Sequence, residues 1–140
     1  MRKVQMVTDR ELEILKVLWM RGKASVREVQ DDLNRMSAGP VAYSTVQTLL
    51  NIMEDKKGLV RHVVEGRTFI YIPKKSAERT TRELTRRFVD RVFDGSVDQM
   101  IVAVIDSKPP SAEEFVRLRS VLDEAQRLSA HRVEQALPVE

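Results

Sequence analysis

Three amphipathic helical stripes, then two β-branched runs around a glycine turn, then three more helical stripes predict a mainly α chain with one small β-hairpin. The chain has 140 residues, 42% hydrophobic and 32% charged, a balance that suits one or two globular domains. It holds no cysteine, which excludes disulfide staples, thiol catalysis and Cys-based metal or redox sensing.

Thr8-Asp9-Arg10-Glu11 reads as a capping box that opens the first helix. Leu12, Leu15 and Trp19, widened by Ile14 and Leu18, carry that helix to about Arg21, and Gly22 stops it. Ser25-Val26-Arg27-Glu28 is a second capping box, with Val26, Val29 and Leu33 at helical spacing, so the second helix spans about Ser25 to Arg35. After the turn cluster Ser37-Ala38-Gly39-Pro40, a third helix starts at Tyr43 or Ser44 and ends at Lys56-Lys57-Gly58. Its apolar stripe is Val46, Leu49, Leu50 and Met53; its other face is Ser44, Gln47, Thr48, Asn51 and Asp55. Leu59 to Val64 and Arg67 to Ile72 then form a hairpin about Glu65-Gly66, closed by Pro73.

Helical periodicity returns from Ser76. Leu84, Phe88 and Val92 stripe a fourth helix, stopped by Asp94-Gly95. Val97, Met100, Ile101, Val104 and Ile105 stripe a fifth, broken by Pro109-Pro110. Ser111 caps a last helix with Glu114 at its third position and Phe115, Leu118, Leu122 and Ala125 behind it; the chain after Leu128 is expected to fray. Three apolar stripes in some 50 residues exceed what so small a bundle can bury alone. Leu84, Phe88, Val92, Met100, Ile101, Val104, Ile105, Leu118 and Leu122 are therefore expected to form a two-fold dimer surface.

Three helices followed by a hairpin are the winged helix-turn-helix order, which places the domain boundary at 1–74 and 75–140. In that arrangement two helices brace a third, whose polar face is free to enter a DNA major groove. The exposed face here carries almost no charge, whereas a merely solvated helix face is normally rich in Glu and Lys. Gln47 and Asn51 can pair bidentately with adenine, and Tyr43, Ser44, Thr45 and Thr48 can offer hydroxyls or a methyl to bases or phosphates. Lys56, Lys57, Arg61 and Arg67, in the helix-to-wing turn and the wing, are candidates for phosphate contacts. Residues 1–73 hold 12 basic and 9 acidic side chains against 12 and 12 in residues 74–140, so the positive excess sits in the first half. A winged module that binds protein instead of DNA remains the alternative.

The remaining polar residues suggest no chemistry. His62 and His131 read as structural or surface groups, and Asp31-Asp32 and Glu113-Glu114 as solvated helix faces. Trp19, Tyr71, Met53 and Met100 read as packing residues. No phosphate loop, nucleophile elbow or His-Glu metal motif occurs, so neither enzymatic activity nor a cofactor or metal is expected. No apolar run approaches the ~20 residues of a membrane span, and the N-terminus has no signal-peptide pattern; a cytoplasmic protein is expected, with no membrane insertion.

Thr8 to Leu15 with Leu18-Trp19, Tyr43 to Leu50, Lys57 to Val60, Gly66 to Pro73 and Phe93-Asp94-Gly95-Ser96 together resemble the penicillinase-repressor (BlaI/MecI) family. The resemblance runs in order from about residue 7 to 128. It implies a homodimeric bacterial repressor with Tyr43–Asn51 as recognition helix, acting on a double-stranded DNA operator that is an inverted repeat. It also implies release through loss of the dimer, by a partner protease that cuts the dimerisation domain. A membrane-bound sensor metalloprotease is the partner such a system would use.

Overall fold

The computed structural model describes residues 6–36 and 40–136, which divide into two units, residues 1–88 and 89–140. The Ser37-Ala38-Gly39 part of the expected turn cluster lies outside the described residues.

In the first unit, helix α1 (Asp9–Arg21) opens on the expected capping box: the Glu11 N–H donates to the Thr8 hydroxyl at 3.2 Å, and the Thr8 N–H donates to the Glu11 carboxylate at 2.8 Å. Gly22, at a φ of 83° that side chains disfavour, ends it by donating its N–H to the Leu18 carbonyl. Helix α2 (Val26–Met36) repeats the device with Ser25 and Glu28. Between them lies a short strand that periodicity does not reveal. Strand β1 (Ala24–Ser25) has only two residues and exists because it pairs with Tyr71 and Ile70. Helix α3 (Tyr43–Asp55) leads into β2 (Val60–Glu65) and β3 (Thr68–Pro73), and the antiparallel sheet has the order β1-β3-β2. Glu65 opposes Thr68, so Gly66-Arg67 is a two-residue turn with Gly66 at a φ of 65°.

The core is the meeting of the predicted stripes. Ile14, Leu15 and Leu18 of α1, Val29 and Leu33 of α2, and Val46, Leu50 and Met53 of α3 are buried with Val60 and Tyr71. Each buried aliphatic side chain contributes about 1.5–3 kcal/mol. Trp19 and Leu49 pack at the edge of this cluster.

Of two buried carboxylates, Asp32 departs from the expectation of a solvated helix face and Glu11 does more than cap a helix. Asp32 is not solvated: Arg21 donates to it through Nε at 2.6 Å and Nη2 at 2.9 Å, and Arg35 adds a further bond. The Arg21 guanidinium holds the Asp32 carboxyl below the usual carboxylate range. This fork joins the end of α1 to α2, while the neighbouring Asp31 faces water. Glu11, beyond its capping role, accepts the Lys57 ammonium at 2.7 Å, with side-chain exposures of 2% and 11%. Lys57 also donates to the Met6 carbonyl. Burial opposes ionisation of Glu11, but the Lys57 and Thr8 hydrogen bonds outweigh it and bring its pKa below the ordinary carboxylate value.

The first unit extends past the expected boundary at residue 74. Helix α4 (Ala77–Val92), capped by the Ser76 hydroxyl, begins on the winged core. The Trp19 indole N–H donates to the Lys75 carbonyl at 3.0 Å, and the Lys75 ammonium meets Glu83 at 2.9 Å. Thr80 is buried. Leu84 and Phe88, expected in the pairing surface of the C-terminal domain, therefore belong to the first unit.

The second unit holds the end of α4, helix α5 (Val97–Ser107, capped by Ser96) and helix α6 (Ala112–Ala136). Ser111 and Glu114 form a third capping box. Helix α6 does not fray after Leu128. No Gly or Pro interrupts residues 112–137, and Glu124 and Arg127 pair along its surface. Val89 is the single buried residue of this unit among those described. Val92, Ile101, Val104, Leu118 and Leu122 are exposed, and Met100 and Ile105 half-buried. Among the described residues, no helix is long and apolar enough to cross a membrane.

The buried pair carries a prediction. Lys57→Ala leaves Glu11 buried without its counter-charge and should cost on the order of 3 kcal/mol of stability, whereas exposed Lys56→Ala should stay within about 0.5 kcal/mol. Because the folded pKa of Glu11 is lowered, its contribution is present above the unfolded carboxylate value and lost as pH falls through the folded one. Urea unfolding at pH 7 and on titration below pH 4.5 should therefore bring Lys57→Ala and the parent closer together in acid.

Candidate nucleic-acid interface

Helix α3 buries one face and exposes the other because Val46, Leu50 and Met53 recur at helical spacing. Tyr43, Ser44, Thr45, Gln47, Thr48 and Asn51 are all exposed. Asn51 is the one among them with a described side-chain partner: the Tyr71 hydroxyl donates to its Oδ1 at 3.2 Å. Tyr71 is 1% exposed, and burial, with Glu54 and Asp55 nearby, pushes its phenol up, so it stays a donor. Asn51 is thereby oriented from beneath by a core residue, with its amide NH₂ still available.

The start of α3 is chemically distinct from the other described helices. Thr8, Ser25, Ser76, Ser96 and Ser111 each accept a first-turn N–H, whereas the α3 N-cap is Ala42, which has no side-chain bond to offer. First-turn amides of α3 thus lack a side-chain acceptor.

A groove of about 530 Å³ joins this end of α3 to the wing. Tyr43 and Gln47 line it from α3, Arg67, Thr68 and Phe69 from the wing, and Ser25 and Arg27 from the start of α2. It brings together three of the residues singled out from the sequence, Tyr43, Gln47 and Arg67. Arg61 is exposed on β2 outside that groove. Lys56 follows the other end of α3, roughly 20 Å from Tyr43 by helical rise, beside a separate hollow with Lys74. Lys57 does not join the exposed cations, since Glu11 holds it.

Arg27 and Phe69 were not among the candidates. Phe69 is 48% exposed and stacks on His62, with ring centroids 4.4 Å apart. His62 is in turn held by Glu54 of α3, whose carboxylate oxygens both lie 2.7 Å from its Nδ1 and whose Oε2 accepts its backbone N–H at 2.9 Å. The wing is tied to the last turn of α3 through this link, as a structural reading of His62 anticipates. The one local signal for Arg27 is a cation in the first turn of a helix, where the macrodipole favours carboxylates.

Charge follows the structural units more sharply than the sequence halves. Residues 1–88 hold 18 basic and 11 acidic side chains, net +7; residues 89–140 hold 6 and 10, net −4. Lys23 and Glu65 neutralise each other beside the wing at 2.6 Å, whereas among the described residues Arg27, Arg61, Arg67 and Lys56 have no carboxylate partner.

Comparison with known proteins finds relatives of this chain. A penicillinase repressor from Bacillus licheniformis is 30% identical over 124 residues, which is 89% of this chain and 94% of that protein. The solution structure of the DNA binding domain of the repressor BlaI is similar over 55% of this chain and 90% of its own, at 33% identity and a TM-score of 0.45. A MarR family protein from Bacillus stearothermophilus is similar over 90% of this chain and 77% of its own, at 21% identity and a TM-score of 0.49. The sequence profile described as Penicillinase repressor matches residues 7–124, and the chain belongs to that family.

Proposed function

We propose that this chain is a homodimeric, sequence-specific transcriptional repressor of the bacterial cytoplasm. It places α3 in the major groove of each half of an inverted-repeat operator. The observation that carries the reading is the exposed, almost uncharged hydrogen-bonding face of α3 beside unpaired cations. Gln47, Thr48, Ser44 and Asn51 read base edges, with Tyr43 and Thr45 at the start of the helix. Arg67, Arg61 and Lys56 meet phosphates. The net charge of +7 on the first unit supports a polyanionic partner.

Pairing is supported by the second unit, whose apolar side chains stand exposed in one chain. Val92, Ile101, Val104, Leu118 and Leu122, with Met100 and Ile105, are the surface a second copy covers. Release follows from loss of that pairing. A membrane-bound sensor metalloprotease would cut α5 or the exposed Asp94-Gly95 before it. Each winged domain then loses the high effective concentration that its partner supplies.

Gln47→Ala should cost roughly 1–3 kcal/mol on the operator and relax choice at one base pair, read by titration against single-base variants. Arg67→Ala should weaken all duplexes about equally and lower the salt slope by about one unit. A Gln47 variant with unchanged operator preference would place the recognition surface elsewhere. Sedimentation at micromolar concentration should show twice the 16.1 kDa chain mass, and a chain ending at Asp94 should run as monomer and bind the operator far more weakly. A truncated form that paired and bound as the full chain does would exclude cleavage there as the switch.

A further inference from the structure

We propose that the groove between α3 and the wing seats one sugar–phosphate unit of duplex DNA, and that Arg27, from α2, is a further backbone-contacting residue there alongside Arg67. The inference rests on the DNA-binding reading above. Its first support is electrostatic. Arg27 and Arg67 line the same groove, no carboxylate lines it, and neither guanidinium has an ion pair or hydrogen bond among the described residues. Elsewhere in this unit Arg21, Lys23, Arg35, Lys57 and Lys75 meet carboxylates, whereas Lys16, Lys74, Arg82 and Arg86 have no ion pair among the described residues but do not line this groove. Two arginines lining one groove without an acid leave room for an anion, and a phosphate diester matches the fork of donors each carries.

The second support is local. Arg27 stands in the first turn of α2, where the helix dipole disfavours a cation. The neighbouring Glu28 makes no bond to it: one of its oxygens accepts the Ser25 N–H at 3.0 Å and the other accepts Arg21 at 3.0 Å. Such a breach of a local rule, with no partner among the described residues, marks a group aimed at something outside the fold.

The third support is shape. Tyr43 and Phe69 line the groove, 46% and 48% exposed, and add apolar surface to it. Phe69 is stacked on His62, which Glu54 fixes, so its part of that surface is built before any ligand arrives. Apolar surface in a groove with two arginines suits a deoxyribose next to its phosphate.

The test uses the full chain, with Arg27→Ala and Arg67→Ala variants. The probes are a duplex carrying the chain's own upstream region and an unrelated duplex of equal length. Arg27→Ala should bind both duplexes roughly tenfold more weakly at a given salt, with an unchanged melting temperature because Arg27 supports nothing inside the fold. In the upstream duplex, phosphates are then replaced one at a time by neutral methylphosphonates. One linkage should lose its effect in Arg27→Ala, and the linkage silent in Arg67→Ala should be the same one or its neighbour. Unchanged affinity of Arg27→Ala for both duplexes would overturn the proposal, as would silent linkages further apart. Failure of the parent chain to bind either duplex would overturn the DNA-binding reading itself, and this proposal with it.

Discussion

Tyr71 is the point on which the winged unit turns. It sits in the central strand of a three-stranded sheet, opposite Ala24 on one side and His62 on the other. Its ring is buried in the core, and its hydroxyl reaches Asn51 on α3. One side chain therefore sets the depth of the sheet under the helices, the register of the wing and the orientation of a residue on the exposed face of α3. A buried phenol must find an acceptor, and the nearest polar group on α3 provides it. One residue of the exposed face of α3, Asn51, is thus constrained from inside the fold.

Around this point the unit is fastened by charge at its margins. Arg21 and Asp32 fix α1 to α2, Lys57 and Glu11 fix the turn after α3 to the start of α1, and Glu54 and His62 fix β2 to α3. Among the described residues, the cations beside α3 and the wing, Arg27, Arg61, Arg67 and Lys56, take no part in this pairing. Internal pairing and external recognition thereby use different members of the same charged set, which is why net charge alone says little about where a partner docks.

Local signals in the sequence carried the architecture. Thr8 with Glu11, Ser25 with Glu28 and Ser111 with Glu114 mark helix starts because a capping box lies within four residues, and the stripes of α1, α3 and α5 repeat within a turn or two. What stayed hidden depends on partners distant in the chain. Lys57 looked like one more basic turn residue because Glu11 lies 46 positions away. Ala24–Ser25 is a strand only because β3 accepts it. The first unit continues to Phe88 because Trp19 and Glu83 hold Lys75 from either side in sequence. Arg27 joined the interface through a groove whose walls come from three separated segments. The exposed face of α3 was legible because absence of charge on a periodic face is itself a local pattern.

Among the described residues, the buried cluster of the winged unit, from Ile14 to Tyr71, draws on none of α5 or α6. Inheritance can therefore treat the two halves as separate cargo. Under the proposed function, a lineage that exchanges the C-terminal helices for another pairing device alters which copies associate and what dissolves them, without redesigning the reader of the DNA. Conversely, drift on the exposed face of α3 can retarget the reader while the oligomer is left as it was. Duplicated copies in one cell would then diverge in target and in pairing choice on independent clocks.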